Sequence, residues 1–243
     1  MVGVAEMDSS SAWRKRCISC LTPAKALFKK SDGDFIRLLD CASCGQPVDR
    51  YVECERSIIF MDMLLQDIAV YRHILFNADN FTPQFYMKLG VALLLSEGYV
   101  RWSSLSHAFS PTTGIKDNEV YLYIMCLLTA IEIGIFGAII VLYFWMRSHN
   151  RSPLSPLYNG LLLGQYGRLA NVAAIIWYQA PSLVFQALVH VFIIISSIQS
   201  TRAALNAGKR ESSVVVVMAA VISTSSSYIL QTPLIKMYES YYL

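Results

Sequence analysis

Two cysteine pairs of the same spacing, Cys17-Ile18-Ser19-Cys20 and Cys41-Ala42-Ser43-Cys44, constrain this chain more than anything else in it. The stretch between them is long enough for two short knuckles to converge until four sulfurs surround one tetrahedral ion. Zn²⁺ binds thiolates at about 2.3 Å and forms a closed structural site when all four positions are sulfur. Cys17, Cys20, Cys41 and Cys44 therefore predict a zinc ribbon whose metal is structural. Gly45, directly after the second pair, suits the tight turn of a knuckle, whereas Leu21 stands at the matching place after the first. Two disulfides or idle thiols are the competing reading of the same residues. Cys54 is a spare thiol with no partner at knuckle spacing.

Beyond the cysteines the chain changes character. Hydrophobic residues make up 55% of its 243 positions and the mean hydropathy is +0.44, above the apolar share of roughly 45–50% usual in soluble domains. They are concentrated from Phe81 onward, in long blocks separated by short basic or proline-containing loops. The pattern predicts a mainly α, polytopic membrane protein behind a small polar head. A net charge of +3, with no helix-turn-helix or long basic tract, excludes nucleic acid as an expected partner.

In chain order, residues 1–12 read as a disordered N-terminus without the apolar core of a signal peptide, and residues 13–56 as the ribbon. Asp32-Gly33-Asp34 sits before the apolar run Phe35 to Leu39 and predicts a β-hairpin turn. Residues 57–78 predict an amphipathic helix lying in the membrane interface. The run Ile58 to Phe76 is apolar but contains Asp62, Gln66, Asp67, Arg72 and His73, each costing about 1–3.5 kcal/mol to insert. His73 reads as a hydrogen-bonded interfacial histidine, with metal ligation or proton transfer as the alternative. A transmembrane bundle is expected over 83–235, followed by a tail over 236–243.

About five spans fit that bundle: Pro83–Arg101, Val120–Met146, Leu157–Tyr178, Ser182–Gln199 and Val214–Leu234. In the first, Lys88 and Glu97 are expected to snorkel from the span's ends. Five spans behind a cytosolic ribbon put Arg147 to Arg151 and Arg202 to Arg210 on the cytosolic side, and the neutral Ala180-Pro181 turn opposite, as positive-inside bias requires. A crossing at Ile58–Phe76 would reverse this. In that topology the sequons at Asn80 and Asn150, each followed by proline, are cytosolic and carry no sugar.

Within the bundle, Glu132, Gln165, Arg168, Asn171 and His190 form a candidate polar patch. Glu132, Arg168 and His190 fall at similar depths, and an unpaired charge there is costly, so Glu132 and Arg168 are expected to meet each other or a polar cavity. Three readings stay open: an ion pair that fixes packing, a lipid head-group site, or a catalytic centre. The last lacks an accompanying nucleophile, acidic pair or metal motif.

Cys17-x-x-Cys20, Ile36-Arg37-Leu38 leading into Cys41-x-x-Cys44, Pro47-Val48-Asp49-Arg50-Tyr51-Val52-Glu53 and Ala69-Val70-Tyr71-Arg72-His73-Ile74-Leu75-Phe76-Asn77 resemble the homology domain of the Arv family. Weaker likeness continues through Glu97 to Trp102, Tyr166 to Leu169, Ile176-Trp177 and Ile198 to Asn206. The resemblance implies a membrane protein of the endoplasmic reticulum. It further implies action in sterol homeostasis and transport, sphingolipid metabolism and delivery of glycosylphosphatidylinositol intermediates, with those lipids as partners. Non-enzymatic lipid handling is the leading mechanism. A zinc-ribbon adaptor that positions another membrane protein is the alternative, and a transferase using Glu132 or His190 as base is a third.

Overall fold

The computed structural model describes residues 15–30, 36–106, 115–147, 154–177 and 183–242. The expected disordered N-terminus, the Asp32-Gly33-Asp34 and Ala180-Pro181 turns and the Asn150 sequon lie outside these residues.

In the head, β1 (Phe28–Lys30) and β2 (Ile36–Leu38) pair antiparallel, with Phe28 opposite Leu38. Each knuckle closes with the same pair of bonds. Leu21 N–H donates to the Cys17 carbonyl and Cys17 N–H to that of Thr22, while Gly45 N–H donates to Cys41 and Cys41 N–H to Gln46. Both turns end in a left-handed residue, Gly45 at φ +69° and Leu21 at φ +63°. A Cβ there costs about 1–2 kcal/mol, which burial of the Leu21 side chain offsets. Leu27 and Val48 pack with Cys17 and Cys41 to complete the small core of the head.

The single helix expected over 57–78 is divided. Helix α1 (Arg56–Leu64) stops at Gln66, whose φ of +64° cannot continue a right-handed helix. Asp67 then accepts the Ala69 N–H at 2.9 Å and caps α2 (Ile68–Arg72), which passes into one π-type turn over His73–Asn77. Pieces of 9 and 5 residues are too short for a hydrocarbon core of about 30 Å. Phe60, Met61 and Leu65 on and just beyond α1 are exposed, while α2 packs against the bundle.

The bundle consists of α3 (Pro83–Ser106), α4 (Ile115–Arg147), α5 (Leu154–Gly164), α6 (Ala170–Ile176), α7 (Leu183–Leu205) and α8 (Lys209–Tyr242). Val120–Arg147, Leu183–Leu205 and Lys209–Pro233 are long and apolar enough to cross a membrane. Large apolar side chains stand exposed along them, among them Leu127, Trp145, Leu188, Val191 and Val221, as lipid-facing surfaces require. Helix α3 has the length, but carries Lys88, Glu97 and Arg101. Helix α8 runs through Pro233 to Tyr242, so the expected tail from Lys236 continues the helix as far as residue 242.

The span expected over Leu157–Tyr178 is not one helix. Helix α5 ends at Gly164, a 3-10 turn occupies Tyr166–Leu169, and α6 follows. Pro156 sits in the first turn of α5, where its missing N–H costs nothing. Glycines let α5 and the turn approach α7 closely. A Cβ on Gly164 would lie 2.8 Å from Ser197 Cα, and one on Gly167 would lie 2.7 Å from the Phe192 ring. Ser196 and Ser197 donate to the Gly164 carbonyl, and Ser200 to that of Gly160. Helix α7 thus supplies hydroxyl donors to the carbonyls of α5.

The head docks at the end of the bundle where α7 finishes. Gln199 donates to the Gln66 carbonyl at 3.0 Å, and Arg72 reaches Asn206 at 3.4 Å. Glu211, at the start of α8, faces Arg147 at the end of α4. The head and the described basic residues Arg147, Arg202, Lys209 and Arg210 therefore gather at one end of the molecule.

Candidate functional site

Cys17 Sγ lies 3.7 Å from Cys44 Sγ, Cys20 Sγ lies 3.6 Å from Cys41 Sγ, and all four sulfurs fall within 4.8 Å of one another. A tetrahedron with bonds of about 2.3 Å has edges of about 3.8 Å, so the donor set fits a thiolate-bound zinc ion. A disulfide needs about 2.05 Å, and all six cysteines are free. Cys54 stays outside the cluster, its Sγ turned to the Arg50 carbonyl at 3.4 Å.

The thiols are electrostatically unequal. The hydroxyl and N–H of Thr22 favour the Cys20 thiolate and bring it down to about 6. Burial pushes Cys17 up against the pull of the Cys20 and Ser19 N–H groups. The Gln46 N–H favours the thiolate of the exposed Cys44, but the desolvating, hydrogen-bonded sulfurs of Cys20, Cys17 and Cys41 outweigh it, pushing Cys44 up to about 12. Four thiolates this close repel one another, and a divalent cation at their centre removes that repulsion. With four protein sulfurs around it, a tetrahedral ion has no position left for a reacting water.

The segment behind the ribbon holds it in place. The buried Arg72 guanidinium donates from one nitrogen to the Ile18 carbonyl at 2.8 Å and the Ser19 carbonyl at 2.6 Å. Asp49, fully buried, accepts the Tyr51 N–H at 2.9 Å and Asn77 Nδ2–H at 2.6 Å, and faces His73 Nδ1 at 2.7 Å. Lys15 reaches the Asn77 carbonyl and Asp79. Arg72, His73 and Asn77 thus all serve to fasten the head. His73 takes the hydrogen-bonded role, on Asp49.

In the bundle the patch assembles around the 3-10 turn. Arg168 donates to Glu132 at 2.8 Å, lies 3.2 Å from Glu97, and bonds Gln165 through Nε at 3.0 Å. Asn171 donates to Glu97 at 2.8 Å, and Gln165 to Ser197 at 3.3 Å. Arg101 pairs with Glu97 at 3.0 Å and with Glu132, and donates to Ser227 at 2.8 Å. Two carboxylates and two guanidinium groups thus form a neutral buried ring in which each carboxylate is shared by both cations.

Two differences from the sequence reading stand out. His190 is not part of the ring; its Nδ1 faces the Gln186 carbonyl one turn back on its own helix at 2.8 Å. Glu97 does not snorkel. Helix α3 continues to Ser106, so Glu97 lies well inside it and is buried. Arg101, four residues on, was the available signal, because that spacing puts both on one helix face.

Beside the ring, a groove of about 540 Å³ runs between α3, α4 and α5. Its lining is apolar apart from Gln165 and tyrosines, and includes Gly90, Gly134 and Gly137. A Cβ added to Gly90 or Gly134 meets nothing within 4 Å. Gln165 joins the groove wall to Arg168.

The profile of the Arv1-like family matches residues 16–201. Protein ARV1 of Bos taurus is 30% identical over 237 residues, covering 92% of this chain and 81% of that protein. Protein ARV1 of Mus musculus is 32% identical over 222 residues, covering 88% and 82%. For Protein ARV1 of Saccharomyces cerevisiae the match is shorter, 42% identical over 62 residues, covering 26% of this chain and 19% of that protein. No solved structure matches.

Proposed function

This chain belongs to the Arv1-like family, and on that premise we propose that it handles membrane lipid without catalysing a reaction on it. Its role is sterol homeostasis and transport in the endoplasmic reticulum, reaching into sphingolipid metabolism and delivery of glycosylphosphatidylinositol intermediates. Zinc on Cys17, Cys20, Cys41 and Cys44 keeps the head in shape. The head faces the cytosol, with the exposed apolar side chains of α1 and Leu65 in the leaflet. Helix α3 and the broken α5–α6 pair cross with α4, α7 and α8, giving five passages.

The observation that carries this reading is the groove between α3, α4 and α5. It is apolar, glycine-walled and about 540 Å³ in volume, within the range of small-ligand sites. The ion ring supports it from behind as a packing lock, and Arg168 positions the one amide in its wall. Purified full-length protein should take up a photoreactive sterol, and Gly134→Leu, which projects into open space, should abolish labelling while thermal unfolding stays unchanged. Absence of saturable labelling in the unaltered protein, or full labelling of the leucine variant, would overturn the proposal.

The adaptor reading draws on one observation: the hairpin leaves Ile36 and Arg37 exposed on the head. Under it, Ile36→Glu removes a co-purifying membrane protein while sterol labelling survives.

A further inference from the structure

A second groove, of about 540 Å³, lies between the end of α4 and the start of α8 and is separate from the glycine-walled one. Its chemistry is graded. Ile139, Val214, Val215 and Met218 form apolar walls, and Arg147, Arg210 and Glu211 gather at the mouth. Both walls belong to segments long and apolar enough to cross a membrane, so the deep part lies at hydrocarbon depth and the mouth at head-group depth.

The charges at the mouth are unbalanced. Glu211 accepts the Tyr143 hydroxyl at 3.2 Å and lies 3.5 Å from Arg147 Nε. It offsets one arginine. Arg210 is exposed and has no ion-pair partner among the described residues. The amino end of α8, a helix of 34 residues, opens at the same place and adds its positive pole. Two arginines against one carboxylate leave one positive charge above an apolar slot.

We infer that this groove seats one anionic glycerophospholipid, its phosphate between Arg147 and Arg210 and an acyl chain along Ile139, Val214 and Met218. A free phosphate would satisfy the mouth but leave the walls unexplained. A zwitterionic lipid would fill the walls but gain little from the surplus charge. The inference rests on the membrane placement proposed above, and it assigns the site a lipid class distinct from the uncharged ligand of the glycine-walled groove.

The test is lipid retention by the full-length protein in detergent, read by native mass spectrometry with phosphatidylglycerol and phosphatidylcholine at equal mole fraction. One basic side chain near a head group is worth roughly fivefold in preference. Arg210→Gln should lower the preference for phosphatidylglycerol by about fivefold, and Glu211→Gln should raise it by about as much. Met218→Trp, which blocks the slot, should reduce retention of both lipids. The inference is overturned if the two charge variants leave the preference unchanged, or if millimolar inorganic phosphate displaces the lipid completely. Sterol labelling of the same variants stays at the unaltered level, so failure here is distinguishable from failure of the sterol groove.

Discussion

Arg72 donates to the Ser19 carbonyl at 2.6 Å across 53 residues of sequence, and the same nitrogen holds the Ile18 carbonyl. The cation thus grips the first knuckle from behind, next to sulfurs that carry two surplus negative charges once zinc is bound. Outer-shell partners of this kind change metal affinity by about 10–100-fold.

Arg72→Met should therefore speed zinc loss to a competing chelator by about tenfold. Arg72→Lys should fall between, because a single ammonium keeps the charge but cannot hold the two knuckle carbonyls and reach Asn206 as the guanidinium does. Chelator-competition kinetics on purified protein check this. Equal rates in all three proteins would leave Arg72 with a packing role only.

One zinc per chain is expected by elemental analysis, lost on Cys→Ser change at position 17, 20, 41 or 44. It should be retained after Cys54→Ser or Cys126→Ser, since neither sulfur joins the cluster. Protons compete with zinc for thiolates, so retention falls as pH falls. Cys20 protonates after Cys17 and Cys44, because Thr22 holds it at about 6 while those two are pushed up. Retention that did not fall on acidification would contradict thiolate ligation.

These cysteines were legible because two pairs at knuckle spacing specify their chemistry locally. Glu132 and Arg168 were legible because matched depth in two apolar runs leaves an ion pair as the cheapest solution. The helix breaks were not. Gln66 leaves the helix without a glycine or proline to mark it, held by Tyr71, Tyr166 and Gln199 from elsewhere in the chain. Gly164, Gly167 and Arg168 do punctuate the apolar run at the 3-10 turn over Tyr166–Leu169, but what turns the chain there, the close approach of both glycines to α7, is tertiary. Glu97 lies deeper than a span ending at Arg101 implies, because α3 runs five residues further, to Ser106.

Removing one member of the buried ring strands a charge. Arg168→Met leaves two carboxylates to one guanidinium and should destabilise the protein by about 3–5 kcal/mol. Adding Glu97→Gln restores neutrality as an Arg101–Glu132 pair. The double variant should lie above the sum of the single changes in a cycle measured by thermal unfolding in detergent. Strict additivity would mean that Glu97 and Arg168 do not share the ring.

The glycines of the bundle divide by what a methyl group would meet. At Gly164 an added Cβ lies 2.8 Å from Ser197 Cα, and at Gly98 it lies 3.2 Å from Cys126 Cα. Main-chain atoms cannot rotate away, so the helices must separate. Gly164→Ala should then cost about 1–3 kcal/mol, as overpacking does. At Gly134 nothing stands within 4 Å, and alanine should be neutral or stabilising by up to about 1 kcal/mol through helix propensity. The order Gly134→Ala above Gly164→Ala in midpoint temperature tests whether α5 and α7 are as close as the hydroxyl bonds of Ser196, Ser197 and Ser200 require. The reverse order would mean that Gly134 faces a packed neighbour and that the groove proposed to hold lipid is closed.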